Sequence, residues 1–285
     1  TPHYLASAAG IAVLERGGSA VEAALAATAR LCGAYPHMAG LGGDCFFILW
    51  DAGGKRLEAI NGSGRAGRAV TIDFYRQRGL NEIPSRGPLA ANTVPGAVDG
   101  WATAHQRYGK LEWRRLFDKA IDYARHGVPV PVSTARWLEK DRDILSRHDM
   151  AARIFLPGGR VPRLGEMLAQ MDLADSLQTV ADGGSDAFYR GPIAREIVGY
   201  LQKVGGVLQQ EDFADHRSDW VQPIGTTYRG YDVMTFPPNT QGMAVLLVLN
   251  LIEGYDITSM GDSTADYVHT IVEATKVAFA DRDRW

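Results

Sequence analysis

Three glycines crowd into "GLGGD" (40–44), and the chain then runs straight into the apolar "CFFILW" (45–50). A backbone that bare, next to a strand, restricts the fold more than any other feature of the sequence. One use for it is a phosphate- or dinucleotide-binding loop. Such a loop follows a strand and opens a helix, so that free N–H groups and the helix dipole face the phosphates. Here the order is helix, glycines, strand, and the spacing is not G-x-G-x-x-G. That context argues against the nucleotide reading. The glycines are better explained by close backbone packing or by positive φ at the entry to a sheet.

The surrounding pattern is α/β. "HYLASAAGIAVLERGG" keeps Leu5, Ala8, Ala9, Ala12 and Val13 on one helical face, and Gly17 reads as its stop. Ser19 is placed to cap "AVEAALAATARLCG", a helix with small residues on nearly every face and so expected at the centre of the packing. Residues 45–50 and 56–60 read as strands joined by the turn "DAGGK". Helical periodicity predicts helices over 71–79, 95–109, 111–126, 132–147, 163–182, 191–204, 241–253 and 263–282, with strands in 220–236. Neither an internal repeat nor a low-complexity linker divides the 285 residues, so a single domain over 1–285 is the expectation.

Composition removes several function classes. A net charge of -3 with scattered arginines gives no footprint for nucleic acid. No apolar run reaches the roughly 18 residues that span a bilayer. The seven histidines, among them His105, His126 and His269 on helix faces, show no metal-ligand spacing. Cys32 and Cys45 read as small core residues and leave the compartment, cytoplasmic or periplasmic, undetermined. Threonine is the more serious candidate, because an N-terminal Thr can attack with its own amine as base. Thr1 begins a helical pattern rather than a strand, however, and Thr226 or Thr227 would first need cleavage of the preceding bond.

Ordered motifs then converge on a family. "LASAAGIAVLERGGSAVEAALA" (5–26, with Glu22 where Asp is usual), "PHMAGLGGDCFFILW", "VPGAVDGW" (94–101) and "FYRGPIAREIV" (188–198) resemble the γ-glutamyltranspeptidases and their acylase relatives. "GGVLQQEDFADH" (205–216), "YRGYDVMTFPPNTQG" (228–242), "NLIEGYDI" (250–257) and "HTIVEATKVAFADRDRW" (269–285) follow in family order. The resemblance implies a precursor that cleaves itself into large and small subunits, together a four-layer αββα sandwich of the N-terminal-nucleophile hydrolase type. This chain would be most of the large subunit. The nucleophilic Thr and oxyanion glycines would lie in the small subunit, leaving no catalytic residue among these 285. The implied substrate is a small γ-glutamyl amide or another acyl amide, with no metal or organic cofactor. A non-catalytic family member is the third possibility.

One substrate contact would come from this chain. In the family an Arg in a segment like D-F-R-E-x-A-P holds the glutamate α-carboxylate. A guanidinium suits that task because its two parallel N–H donors match both carboxylate oxygens. The matching stretch is "INGSGRAGRA" (60–69), where Ser63 takes the position of that Arg. Arg65 and Arg68 follow, and a Gly-flanked loop would let Arg65 swing into the same place. Gly67 stands where Pro is usual, which implies a less rigid loop. The altered segment also favours the acylase alternative, acting on an acyl group such as glutaryl.

Overall fold

A computed structural model describes residues 1–284, so Trp285, the last residue of the 269–285 motif, lies outside the described residues. The chain divides into two compact units. The first takes Thr1–Cys45 and Gly62–Ser218; the second takes Phe46–Asn61 and the residues from Asp219 on. Each unit draws on separated stretches of chain, so no linker sequence marks a boundary between them.

In the first unit a helical hairpin of α1 (Tyr4–Glu15) and α2 (Ala20–Ala34) forms as expected. Gly17 takes φ +83. Its N–H donates to Leu14 O and that of Gly18 to Val13 O, a Schellman closure of α1. Ser19 and Glu22 then close a reciprocal capping box on α2. Small residues let the pair approach closely: a Cβ on Gly10 would sit 3.0 Å from Ala23 O. α2 is buried from Val21 to Ala34 on most of its faces. It packs against α1, α3 (Ala97–Tyr108) and α4 (Asp118–His126), and α4 in turn meets α5 (Met171–Tyr189). Trp101, Phe117, Leu25, Leu177 and Phe188 fill this core. α6 (Pro192–Lys203) starts with Pro192 in its first turn, where a missing N–H costs nothing.

Several helices differ from expectation. The one predicted over 163–182 starts only at Met171, because Met167–Leu168 pairs with Val128–Pro129 in a two-residue antiparallel ladder. It continues to Tyr189 across a break at Gly184. The 132–147 pattern splits into Val132–Lys140 and Arg142–Ser146, and 111–126 becomes a 3-10 turn at Trp113–Leu116 ahead of α4. The 71–79 helix shrinks to Ile72–Arg76, capped by Thr71.

In the second unit, β1 (Cys45–Asp51), β2 (Arg56–Gly62) and β3 (Asp219–Val221) form a sheet in that order, the terminal residues Cys45 and Gly62 belonging to the first unit. β2 and β3 run antiparallel, with Ile60 opposite Trp220. β4 (Ile224–Tyr228) and β5 (Tyr231–Thr235) make a tight hairpin. Arg229 and Gly230 both adopt positive φ there, 50° and 84°, as a two-residue turn of matching twist requires. α7 (Gly242–Ile252) packs on this hairpin and on α8 (Ala265–Arg284).

Candidate functional site

The first unit contains a crossing of two glycine-containing segments. A Cβ on Gly64 would fall 1.5 Å from Val94 O, and one on Gly96 would fall 2.1 Å from Gly62 O. Only bare backbone fits there. Val94 N–H donates to Arg65 O at 3.0 Å, and Ala66 bridges Thr93. The carbonyl of Gly43 accepts from Gly96 N–H and Ala97 N–H at 2.9 and 3.0 Å, which caps α3.

This corrects two expectations. Gly40, Gly42 and Gly43 have neither positive φ nor a close neighbour that a Cβ would strike. The close packing falls instead on Gly62, Gly64 and Gly96, and on Gly100, whose Cβ would meet Cys45 Sγ at 2.2 Å. Nor is the 62–68 segment a swinging loop, since Arg65 is tied by its carbonyl and Gly64 by close contact.

A cavity of about 630 Å³ opens beside this crossing. Arg65, Arg68, Arg190 and Arg217 line it, with Asp212, Asp215 and His216. Arg68 pairs through its guanidinium with Asp215, and its backbone N–H donates to Asp212 Oδ1 at 3.0 Å. Arg190 pairs with Asp186 and donates to Ala214 O at 2.7 Å. His216 stacks on Tyr189, ring centroids 5.0 Å apart. Tyr189 donates its hydroxyl to Pro95 O at 2.7 Å and accepts from Asp99 N–H at 3.1 Å; burial pushes its pKa well up. Asp99 in turn accepts from Ser218 N–H at 2.5 Å. With Asp186 counted beside Arg190, three carboxylates face the four guanidiniums, and the one net positive charge suits the cavity to an anion such as a carboxylate, which two parallel donors can hold.

Of the residues singled out from sequence, Arg65 and Arg68 come together at this cavity, and Ser63 is not among its lining residues. Arg190, Asp212, Asp215, His216 and Arg217 were not singled out. They lie in or directly beside the 188–198 and 205–216 motifs, which carried the resemblance but no assigned chemistry. Thr1 precedes α1 and donates its hydroxyl to His3 O at 2.8 Å. Thr226 and Thr227 sit inside a paired hairpin strand, opposite Val233 and Asp232. Burial pushes both thiols, Cys32 and Cys45, up to about 12, so neither is a nucleophile at neutral pH. Among the described residues, no group of three or more His, Cys, Asp or Glu converges on a metal position, and no helix is long and apolar enough to cross a membrane.

The family model described as gamma-glutamyltranspeptidase matches residues 6–285. A glutathione hydrolase-like proenzyme of Bacillus subtilis is 44% identical over 99% of this chain and 54% of its own length. An oxamate amidohydrolase proenzyme of Klebsiella pneumoniae is 38% identical over 99% of this chain and 53% of its own. The crystal structure of a cephalosporin acylase from Bacillus halodurans superposes with a TM-score of 0.90 at 36% identity, over 96% of this chain and 52% of that one. The α/β fold of the N-terminal-nucleophile hydrolase type, expected from the motifs, therefore holds. The chain spans about half the length of the curated relatives it matches.

Proposed function

Since this chain belongs to the γ-glutamyltranspeptidase family, we propose that it is the large-subunit part of a self-processing γ-glutamyltransferase or hydrolase. The precursor is cut into two subunits, and the small one carries the nucleophilic Thr. That Thr attacks an amide carbonyl through its hydroxyl, with its own α-amine taking the proton. Backbone N–H groups hold the tetrahedral oxyanion, the amine leaves, and an acyl-enzyme remains. Water then gives hydrolysis and an amine gives transfer. No step requires a metal or an organic cofactor. The part played by residues 1–284 is recognition, and these residues alone are inactive.

The cavity lined by Arg65 carries this reading. Its excess of guanidinium groups fits an acyl group that ends in a carboxylate. In the processed protein Arg65, with Arg68 beside it, takes the role that the family gives to an Arg at the position of Ser63. Arg65→Ala in the full-length protein should raise KM for a γ-glutamyl anilide by about ten- to a hundredfold, about 1.4 kcal/mol per tenfold. An unchanged KM removes Arg65 from recognition.

A second reading is an acylase for other acyl groups, favoured by Ser63 in place of the expected Arg. Glutaryl and γ-glutamyl anilides separate the two, because glutaryl keeps the terminal carboxylate that an arginine would hold and lacks only the α-amino group. Faster turnover of the γ-glutamyl compound supports the first reading, and equal or reversed rates overturn it.

A further inference from the structure

The segment that carries Arg65 is pinned at two points. At one end Val94 N–H holds Arg65 O at 3.0 Å. At the other, Arg68 N–H donates to Asp212 Oδ1 at 3.0 Å, from a segment 144 residues away in sequence. Asp212 is buried, 9% exposed, and its second oxygen accepts from Gln209 N–H at 2.9 Å. It sits at the third position of the helical turn Gln210–Ala214, where it also forms half of a capping box with Gln209. Gly67 lies directly against it: a Cβ there would be 2.9 Å from Asp212 Oδ2 and 3.0 Å from Leu208 Cδ2. A glycine at 67, expected from sequence to loosen the loop, is what lets the carboxylate reach Arg68.

We infer that Asp212 is a positioning residue for acyl-group recognition: its buried carboxylate, admitted by Gly67, clamps the backbone of Arg68 and so fixes Arg65 at the cavity wall. A carboxylate accepting backbone N–H groups makes stronger bonds than a neutral acceptor and has little freedom once buried. Two fixed points three residues apart leave the intervening backbone few conformations. A guanidinium on such a segment is organised before substrate arrives, and the gain appears in binding. This inference rests on the reading of Arg65 as the carboxylate contact.

The alternative is that Asp212 only caps its own helical turn. Gln209→Ala removes the side-chain half of the capping box and leaves both bonds of the Asp212 carboxylate, to Gln209 N–H and to Arg68 N–H, so it reads the cap apart from the clamp. With full-length processed protein and a γ-glutamyl anilide, Asp212→Ala should raise KM about tenfold with kcat within about twofold. Asp212→Asn, whose one carboxamide oxygen can accept from Arg68 N–H while its NH2 faces Gln209 N–H, should recover part of the loss. Gln209→Ala should leave KM unchanged. Amide hydrogen exchange at residue 68 should quicken in Asp212→Ala and stay unchanged in Gln209→Ala. If Asp212→Ala does not fold, Gly67→Ala carries the same test, since its methyl displaces the carboxylate without altering any charge; a raised KM is expected. An unchanged KM in Asp212→Ala or Gly67→Ala overturns the inference, as does a Gln209→Ala loss equal to that of Asp212→Ala. An unchanged KM in Arg65→Ala overturns the carboxylate reading itself. A raised KM in Arg65→Ala beside an unchanged one in Asp212→Ala overturns this inference alone.

Discussion

The glycines of 40–43 and those of the crossing at 62–64 and 96 look alike in sequence and are held to opposite standards by the structure. Around Gly42 a Cβ would meet nothing within 4 Å, whereas on Gly64 it would lie 1.5 Å from a carbonyl oxygen. What the 40–43 loop contributes is a backbone carbonyl, that of Gly43, which caps α3. What the crossing contributes is proximity: two chains close enough for Arg65 and Val94 to bond. A glycine run is therefore a poor guide to where backbone is crowded. Scattered glycines that meet in space carry the constraint.

The largest expected effect tests the crowded side. Gly64→Ala should cost about 4 kcal/mol or more, because the methyl meets backbone rather than a side chain that can move aside. Equilibrium unfolding in urea measures it, and a loss below about 1 kcal/mol would show that the crossing relaxes. Next comes the far end of α3, where Glu22 accepts from Lys110 and Leu111 N–H at 2.8 and 2.6 Å while closing its own cap with Ser19. Burial pushes the Glu22 carboxyl up, but these hydrogen bonds outweigh it and hold it below its ordinary value. Its stabilisation is thus complete above the ordinary value of 4.5 and is lost as pH falls from there through the lowered folded value. Glu22→Gln should cost about 2 kcal/mol at neutral pH. The gap from the unaltered protein should close as the solution is acidified below pH 4.5; a gap that does not change with pH rules out the ionised carboxylate as its source. The smallest effect belongs to Gly42→Ala, expected within about 0.5 kcal/mol of the parent. A loss comparable to that of Gly64→Ala would erase the distinction between the two glycine sets.

Much of the fold is legible in local chemistry. Gly17 and Ser19 close and open the first hairpin as their residue types require, and the "DAGGK" turn joins β1 to β2. One misread boundary has a tertiary cause. Residues 163–170 keep helical periodicity, yet Met167 and Leu168 pair across space with Val128–Pro129, and a ladder formed through tertiary packing outweighs weak propensity. The short helices Asp149–Phe155 and Gln210–Ala214 have too few turns to show a period. At the cavity, Arg65 was findable because motif order aligned "INGSGRAGRA" with a known segment. Asp212 was not, since its partner lies 144 positions away.

Sequence alone thus determined the family, the α/β class and the segment proposed to read a carboxylate, because motif order, capping residues and apolar periodicity are properties of neighbours along the chain. Tertiary structure alone decided which glycines are indispensable and which acid holds the arginine segment. Both depend on distances between residues far apart in sequence, where a single ångström separates a hydrogen bond from a collision.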